Sequence, residues 1–449
     1  MSDDLVEKYG GPVPRYTSYP TAPHFHDGVN AETYGAWLKQ IPAGTAVSLY
    51  IHVPFCAEMC WYCGCHTKIV ARYDPIATYA RHLGREIELL ANAAGEGLNI
   101  SHIHWGGGTP TALSEADFTG LMEGISKHFH ITTDAEVAVE IDPRTLSQDM
   151  VTAMAKAGVN RASLGVQDFE PRVQKAINRV QSFEATEATV TWLRDAGIDN
   201  ISFDLMYGLP EQSVDSVVHT VDLAHRLAPD RLSVFGYAHV PWMKTHQRLM
   251  PEDALPDSNQ RLAQSEAITE RLLQHGYDAI GLDHFARPDD AMNQAAENHS
   301  LRRNFQGYTT DTADVLLGIG ASAIGNLPGG YVQNEPALGR YATMIESGEL
   351  AVTRGKEVST EDAMRRHIIE QLMCSFQVDL SAAAGEFGLS GISFGPEKMR
   401  LQELADDGLV SLDGSMVQVS EAGQPFVRVI AAAFDQYLDQ GPGRHSKAV

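Results

Sequence analysis

Four of the chain's five cysteines fall within ten residues, at Cys56, Cys60, Cys63 and Cys65, and the first three are spaced C-x3-C-x2-C. Three thiolates can hold a 4Fe–4S cubane and leave one iron without a protein ligand, open to a substrate or cofactor. Such a site is catalytic rather than structural. Structural zinc is the competing reading. The spacing opposes it, because zinc cages come as two C-x2-4-C arms across a longer spacer, and a fourth cysteine two residues past the third would crowd a tetrahedron. A disulfide framework fits less well still: five cysteines in 449 residues are sparse, and Cys374 stands alone in an apolar helical pattern, as a small core residue would.

The elements that must carry this loop are legible as a pattern. Apolar runs rich in β-branched residues at 46–53, 101–105, 136–142, 161–166, 201–206 and 231–237 predict strands. Helical periodicity near 75–94, 114–129, 146–157, 183–196 and 214–227 separates them. Alternation of this kind implies parallel strands with right-handed crossovers, hence an α/β barrel or open sheet. Ala157-Gly158 and Ala196-Gly197 mark helix ends before the next strand.

Each predicted strand runs into polar or glycine-rich sequence. The first meets the cysteine loop, the second Gly106-Gly107-Gly108-Thr109-Pro110, the third Glu140-Ile141-Asp142-Pro143. The fourth ends at Gly165-Val166-Gln167-Asp168, the fifth carries Asp204 and closes on Tyr207-Gly208-Leu209-Pro210, and the sixth ends at Tyr237-Ala238-His239. In α/β barrels reactive groups gather at that carboxyl rim. The glycine run lacks a P-loop lysine and the GxGxxG spacing, so it suits close approach of an amino acid's amino group and carboxylate rather than a phosphate cradle. Glu140, Gln167, Arg179 and Asp204, taken one at a time, also fit plain solvated ends; their shared position sets them apart.

A net charge of −24 argues against a nucleic-acid backbone or an anionic lipid surface as principal partner. With 43% hydrophobic residues, no apolar run of membrane-spanning length and no basic-then-apolar start, the expectation is a cytoplasmic protein without a membrane span.

Longer motifs join the cysteine loop: PRYTSYPTA at 14–22, YIHVPFC at 50–56, HWGGGTPT at 104–111, GVQDF at 165–169, DLMYGLP at 204–210, DRLSVFGYAH at 230–239, DHFARPDD at 283–290 and RNFQGYTT at 303–310. Together they resemble the radical S-adenosylmethionine superfamily, and within it the oxygen-independent coproporphyrinogen III oxidases of haem biosynthesis. The resemblance runs from about residue 9 into the C-terminal helical region. It implies a partial (β/α)6 barrel over 46–350, preceded by an N-terminal arm (1–45, a possible lid) and followed by a mainly helical, winged-helix-like C-terminal domain (351–449).

By the same resemblance, Cys56, Cys60 and Cys63 would ligate one 4Fe–4S cluster. Tyr50, Gly107 and Glu140 would contact a first S-adenosylmethionine, with Ile324 beside its adenine. A second S-adenosylmethionine would meet Tyr62, Gly108, Thr109, Gln167, Arg179, Asp204 and Ala238. Tyr62 stands where phenylalanine is frequent in the family; the ring is kept and a hydroxyl added. The implied activity is an oxidoreductase reaction: a 5′-deoxyadenosyl radical abstracts hydrogen from a propionate β-carbon, and loss of CO2 and one electron leaves a vinyl group. Two such events convert coproporphyrinogen III to protoporphyrinogen IX. The implied partners are that substrate and a low-potential electron donor, and the implied state is a monomer. The related radical haem chaperone is the runner-up, opposed by Cys65 in CGC and by the PRYTSYP arm.

Some features keep two readings. Arg15-Tyr16-Thr17-Ser18-Tyr19-Pro20 is either a lid whose Arg15 meets a propionate or an extended arm packed on the barrel. Cys65, not needed for the cluster, either assists catalysis or packs. Beyond residue 357 the sequence predicts a helix starting at Ser359 or Thr360, a helix from Met399 to Asp407, a hairpin of 409–412 with 416–419, a final helix near 426–439 and a disordered tail from Gly441. Few basic residues accompany this winged pattern, which favours packing or substrate capping over DNA binding.

Overall fold

The computed structural model of the protein describes residues 3–438, so the tail from Gly441 lies outside the described residues. Six parallel strands form its centre: β1 (Ala46–Val53), β2 (Asn99–Gly107), β3 (His130–Ile141), β4 (Arg161–Gln167), β5 (Asn200–Tyr207) and β6 (Arg231–Gly236). Between them run α1 (Asp74–Ala94), α2 (Glu115–His128), α3 (Gln148–Lys156), α4 (Phe183–Asp195) and α5 (Val214–Arg226). The predicted elements are all present, and only β3 departs much from its expected bounds, starting at His130 rather than 136.

Serines fix where these helices begin. The side chains of Ser114, Ser147, Ser182 and Ser213 each accept the backbone N–H three residues on, at Asp117, Met150, Ala185 and Ser216. Each cap satisfies a donor that the first turn leaves without a partner, worth about 1 kcal/mol. The strands are buried on both faces, as parallel strands flanked by helices are. Leu49, Ile51 and Val53 of β1 are fully buried, and Trp105 of β2 packs on Phe118 of α2 with ring centroids 4.9 Å apart.

The sheet continues past the six. α6 (Ser258–Gln274) packs on α5, and β7 (Asp278–Ile280) and β8 (His284–Ala286) extend the β6 side antiparallel. On the other side β9 (Val315–Ile319) pairs parallel with β1, followed by antiparallel β10 (Ile324–Leu327), β11 (Gly330–Asn334) and β12 (Val352–Glu357). The order across this one sheet is β12-β11-β10-β9-β1-β2-β3-β4-β5-β6-β8-β7, a partial barrel with open ends. The sheet therefore reaches Glu357, past the boundary expected at 350, because β12 pairs along β11 over five residue positions.

Beyond it, α7 (Thr360–Ser375) starts at a capping box between Ser359 and Asp362. A three-stranded sheet follows, built of β13 (Gln377–Asp379), β14 (Val410–Asp413) and β15 (Met416–Val419) in the order β13-β15-β14, with α8 (Gly395–Asp406) before the hairpin. The final helix is shorter than expected. It is α9 (Val427–Ala432), after which the chain turns and Asp435 accepts the Tyr437 N–H at 2.8 Å. Val6, Tyr16 and Tyr19 of the N-terminal arm share the core of this C-terminal unit with Met364, Ile368 and Phe434.

Candidate active site

Parallel pairing brings the strand ends into one rim. Tyr50 of β1 lies in register with His104 of β2, and Val53 with Gly107. The cysteine loop leaves β1 here and is fastened to neighbouring segments. Trp61 N–H donates to the Ile177 carbonyl at 2.9 Å, and Asn178 Nδ2 to that of Met59 at 2.8 Å. From the far side, Lys244 Nζ donates to the Cys65 carbonyl at 2.9 Å, His246 Nε2 to that of Cys63 at 2.8 Å, and Gln247 Nε2 to that of Tyr62 at 3.0 Å.

Donors converge on all three expected ligand sulfurs. Thr67 and Thr109 point their hydroxyls at Cys56 Sγ, at 3.2 and 3.5 Å. Arg144 Nη2 and Arg179 Nη1 both reach Cys60 Sγ at 3.5 Å. The Cys65 N–H donates to Cys63 Sγ at 3.4 Å, while Cys65 itself is exposed. Hydrogen bonds of this kind favour the thiolate and tune a bound cluster. The Cys63 thiol is drawn down to about 6, first by hydrogen bonding with Cys65 and then, against burial, by the charges of Lys244 and His246. Burial pushes the Cys56 thiol up, against the two threonine hydrogen bonds. Among the described residues, no group of three or more His, Cys, Asp or Glu side chains is gathered closely enough to hold a single metal ion.

Two arginines share one carboxylate beneath the loop. Asp142 binds Arg144 Nη2 at 2.6 Å and Arg179 Nη2 at 3.3 Å, and its side chain is only 11% exposed. Arg179 also donates to the Gly165 carbonyl at 2.6 Å, yet its Nε is buried without a partner. That orphaned donor, beside donor-lined sulfurs, fits a site built to receive a charged group.

The residues expected to meet S-adenosylmethionine line the same rim. Glu140 accepts the Gly107 N–H and a hydrogen bond from His104 Nε2, each at 3.1 Å. Gly107 needs its missing side chain twice over: its φ is +112°, and a Cβ would lie 2.6 Å from the His52 ring. At Gly108 a Cβ would sit 2.7 Å from the Phe55 carbonyl oxygen. Tyr50 donates to or accepts from His52 Nδ1 at 3.0 Å and stacks on His104. Gln167 ends β4 with φ +68° at a register shift against β5, the kind of non-glycine strain that marks binding sites. Asp204 takes a hydrogen bond from Ser163 at 3.3 Å, and burial raises its carboxyl to about 6, with Glu140's charge acting the same way. Ala238 shares Gln247 with the cysteine loop, its carbonyl accepting Nε2 at 3.3 Å, and Ile324 opens β10 half-buried.

Two expected contacts reach the ligand sulfurs themselves: Thr109 at Cys56 and Arg179 at Cys60, the latter also bound to Asp142. Sequence reasoning missed Thr67, Arg144, Lys244, His246 and Gln247. Arg144 follows the Asp142-Pro143 tip directly, a readable signal; the 244–247 segment lies in the loop well past the tip of β6 and offers none. His104, which opens the HWGGGTPT motif on β2, holds Glu140.

A family model described as the radical SAM superfamily matches residues 50–224, and one described as the HemN C-terminal domain matches 358–426. A protein of Bradyrhizobium diazoefficiens named oxygen-independent coproporphyrinogen III oxidase is 54% identical over the whole of both chains. One of Paracoccus denitrificans with the same name is 44% identical, over 97% of this chain and 96% of its own. The solved structure of coproporphyrinogen III oxidase from Escherichia coli, titled a radical SAM enzyme, superposes with a TM-score of 0.91 at 38% identity, covering 98% of this chain and 99% of that one. The chain belongs to the oxygen-independent coproporphyrinogen III oxidase family of radical S-adenosylmethionine enzymes.

Proposed function

We propose that this enzyme decarboxylates two propionate side chains of coproporphyrinogen III to vinyl groups, giving protoporphyrinogen IX for haem synthesis without oxygen. The observation that carries the reading is the set of donors aimed at Cys56, Cys60 and Cys63 from three separate parts of the rim. These cysteines would hold one 4Fe–4S cluster with an open iron. When bound, the cluster and S-adenosylmethionine supply the electron and the hydrogen-abstracting 5′-deoxyadenosyl group.

The chain's own residues supply position. Glu140, fixed by His104 and the Gly107 N–H, presents a carboxylate to an ammonium group. Gly107 lets the backbone approach, Tyr50 walls the site, and Ile324 lies at its edge. A second S-adenosylmethionine is assigned to Tyr62, Gln167, Asp204 and Ala238, with Gly108, Thr109 and Arg179 at the seam with the cysteine loop. Cys65 stays outside the ligand set. Each propionate loses the hydrogen atom at its β-carbon, CO2 and one electron, so the enzyme needs a low-potential donor to start and an acceptor to finish. We read the arm as 1–45, the barrel as 46–357 and the C-terminal unit as 358 onward, in a monomer of the cytoplasm; no described helix is long and apolar enough to cross a membrane.

Anaerobic reconstitution with iron and sulfide, then dithionite, S-adenosylmethionine and coproporphyrinogen III, tests this directly. Release of two CO2 per macrocycle with protoporphyrinogen IX as product is expected. An unchanged tetrapyrrole alongside 5′-deoxyadenosine would refute it, and stoichiometric haem binding without turnover would favour the chaperone.

A further inference from the structure

A cavity of about 750 Å3 opens beside the strand ends of β5 and β6, closed by α6, the N-terminal arm and the C-terminal unit. Its size falls within the range of about 300–1,000 Å3 typical of small-molecule sites. The floor is apolar, with Val234, Leu262, Ile268 and Phe285. Four arginines enter it from four places: Arg15 from the arm, Arg261 from α6, Arg303 from the segment after β8, and Arg428 from α9.

Each of these arginines is held in place. Arg15 Nη2 donates to the Gly236 carbonyl at 3.0 Å, and Arg303 donates to the Arg15 carbonyl through Nε at 3.4 Å and Nη2 at 3.3 Å. Arg428 Nε donates to the Pro14 carbonyl at 3.0 Å. The remaining nitrogen of Arg303, Nη1, is buried and has no partner. Arg261 lies over the Tyr207 ring at 5.5 Å, and room for it is made by glycine: a Cβ at Gly208 would stand 2.1 Å from Nη1. Among the described residues no carboxylate forms an ion pair with Arg15, Arg261 or Arg303. Asp283 pairs with His284 at 2.8 Å, and its charge also acts on Arg303 and Arg428; Glu266, Glu270 and Glu421 are exposed around the cavity. Crowding shows in Arg428, whose guanidinium is lowered to about 10 by burial and then by the charges of Arg15 and Arg303.

An apolar floor beneath guanidinium groups fits a large, mostly apolar macrocycle bearing several carboxylates. The cavity also abuts the chemistry, because Gln247 ties Ala238 in its wall to Tyr62 in the cysteine loop. We propose that this cavity is the tetrapyrrole site, and that Arg261 and Arg303 hold propionate carboxylates while Arg15 closes the ring from the arm. The proposal rests on the reading of the enzyme as a coproporphyrinogen oxidase and adds where the substrate sits and what anchors it. The anchored carboxylates are those the reaction leaves intact, since a propionate locked to arginine could not release CO2 freely.

The test uses two probes on the full-length protein: coproporphyrin III, the oxidised fluorescent form of the substrate, and its tetramethyl ester, the same ring without charge. Arg261→Gln and Arg303→Gln are each expected to weaken coproporphyrin III binding tenfold or more and to leave ester binding unchanged, with Arg261→Lys and Arg303→Lys recovering part of the loss. Iron content and thermal midpoint report on folding. Equal binding of coproporphyrin III by wild type and both glutamine variants overturns the proposal, as does parallel loss of acid and ester. If wild type turns over coproporphyrinogen III and both glutamine variants keep its KM, this inference alone fails; if wild type does not turn it over, the functional reading fails first.

Discussion

Glu86 sits in the middle of α1 and is only 3% exposed. Its carboxylate accepts three hydrogen bonds of 2.6 Å, from Tyr341 Oη and the Gly320 N–H on Oε2 and from Asn334 Nδ2 on Oε1. It thereby ties the turn after β9 to the barrel's outer layer, close to Ile324. Burial outweighs these three donors and lifts the carboxyl from 4.5 to about 7. A folded-state value raised above the unfolded one means the protonated acid is favoured by folding. Its stabilising effect is complete below about 4.5 and is lost as pH rises through about 7. At about 1.4 kcal/mol per unit, the loss is about 3 kcal/mol. With about 2 cal/mol/K of unfolding entropy per residue over this length of chain, that corresponds to a fall of about 3–4 °C in midpoint. Glu86→Gln removes the titration. It also turns an amide NH2 toward either Asn334 Nδ2 or the Gly320 N–H, both donors, and lowers stability at every pH by about 1–3 kcal/mol. Thermal midpoints of the reconstituted enzyme and of Glu86→Gln, measured anaerobically from pH 5 to 8, should converge as pH rises. A gap between them that stays constant across that window would refute the reasoning.

Serine at Cys56, Cys60 or Cys63 should reduce bound iron to near zero after reconstitution, whereas Cys65→Ser should retain it; equal iron in all four variants would contradict the ligand assignment. Asp142→Asn leaves Arg144 and Arg179 buried without their shared charge, at a cost of about 3 kcal/mol, read as a lower thermal midpoint and faster cluster loss on dilution. Gly107→Ala forces a methyl within 2.6 Å of His52 at a φ of +112°, so activity should drop at least tenfold with Glu140 losing its backbone donor.

The barrel's first six strands were readable because each is a buried apolar run bounded by glycine or serine signals, and β1 matches its expected bounds at 46–53. The stretch after β6 was not. α6 buries only Leu262, Gln264, Ile268 and Leu272, a stripe too thin and too polar to show a period, and β7 and β8 are three residues each. The cysteine loop was legible from spacing alone. Its supporting shell was not, since Thr67, Arg144 and Gln247 meet it only through tertiary contact. The arm packs on both sides, Val29, Tyr34 and Leu38 in the barrel core and Tyr16 and Tyr19 in that of the C-terminal unit, and this packing carries Arg15 into the cavity.

Tyr16 near the amino terminus donates to Asp435 near the carboxyl terminus at 3.0 Å, a contact bridging 419 positions, and Gln436 N–H reaches Tyr19 Oη at 3.1 Å. During synthesis the strands that carry the iron site emerge long before the residues that clasp the first segment. Metal insertion can thus precede enclosure, and a prematurely terminated polypeptide would keep its cysteines while leaving the substrate chamber without a roof. The two extremities act as a single latch, fastened last.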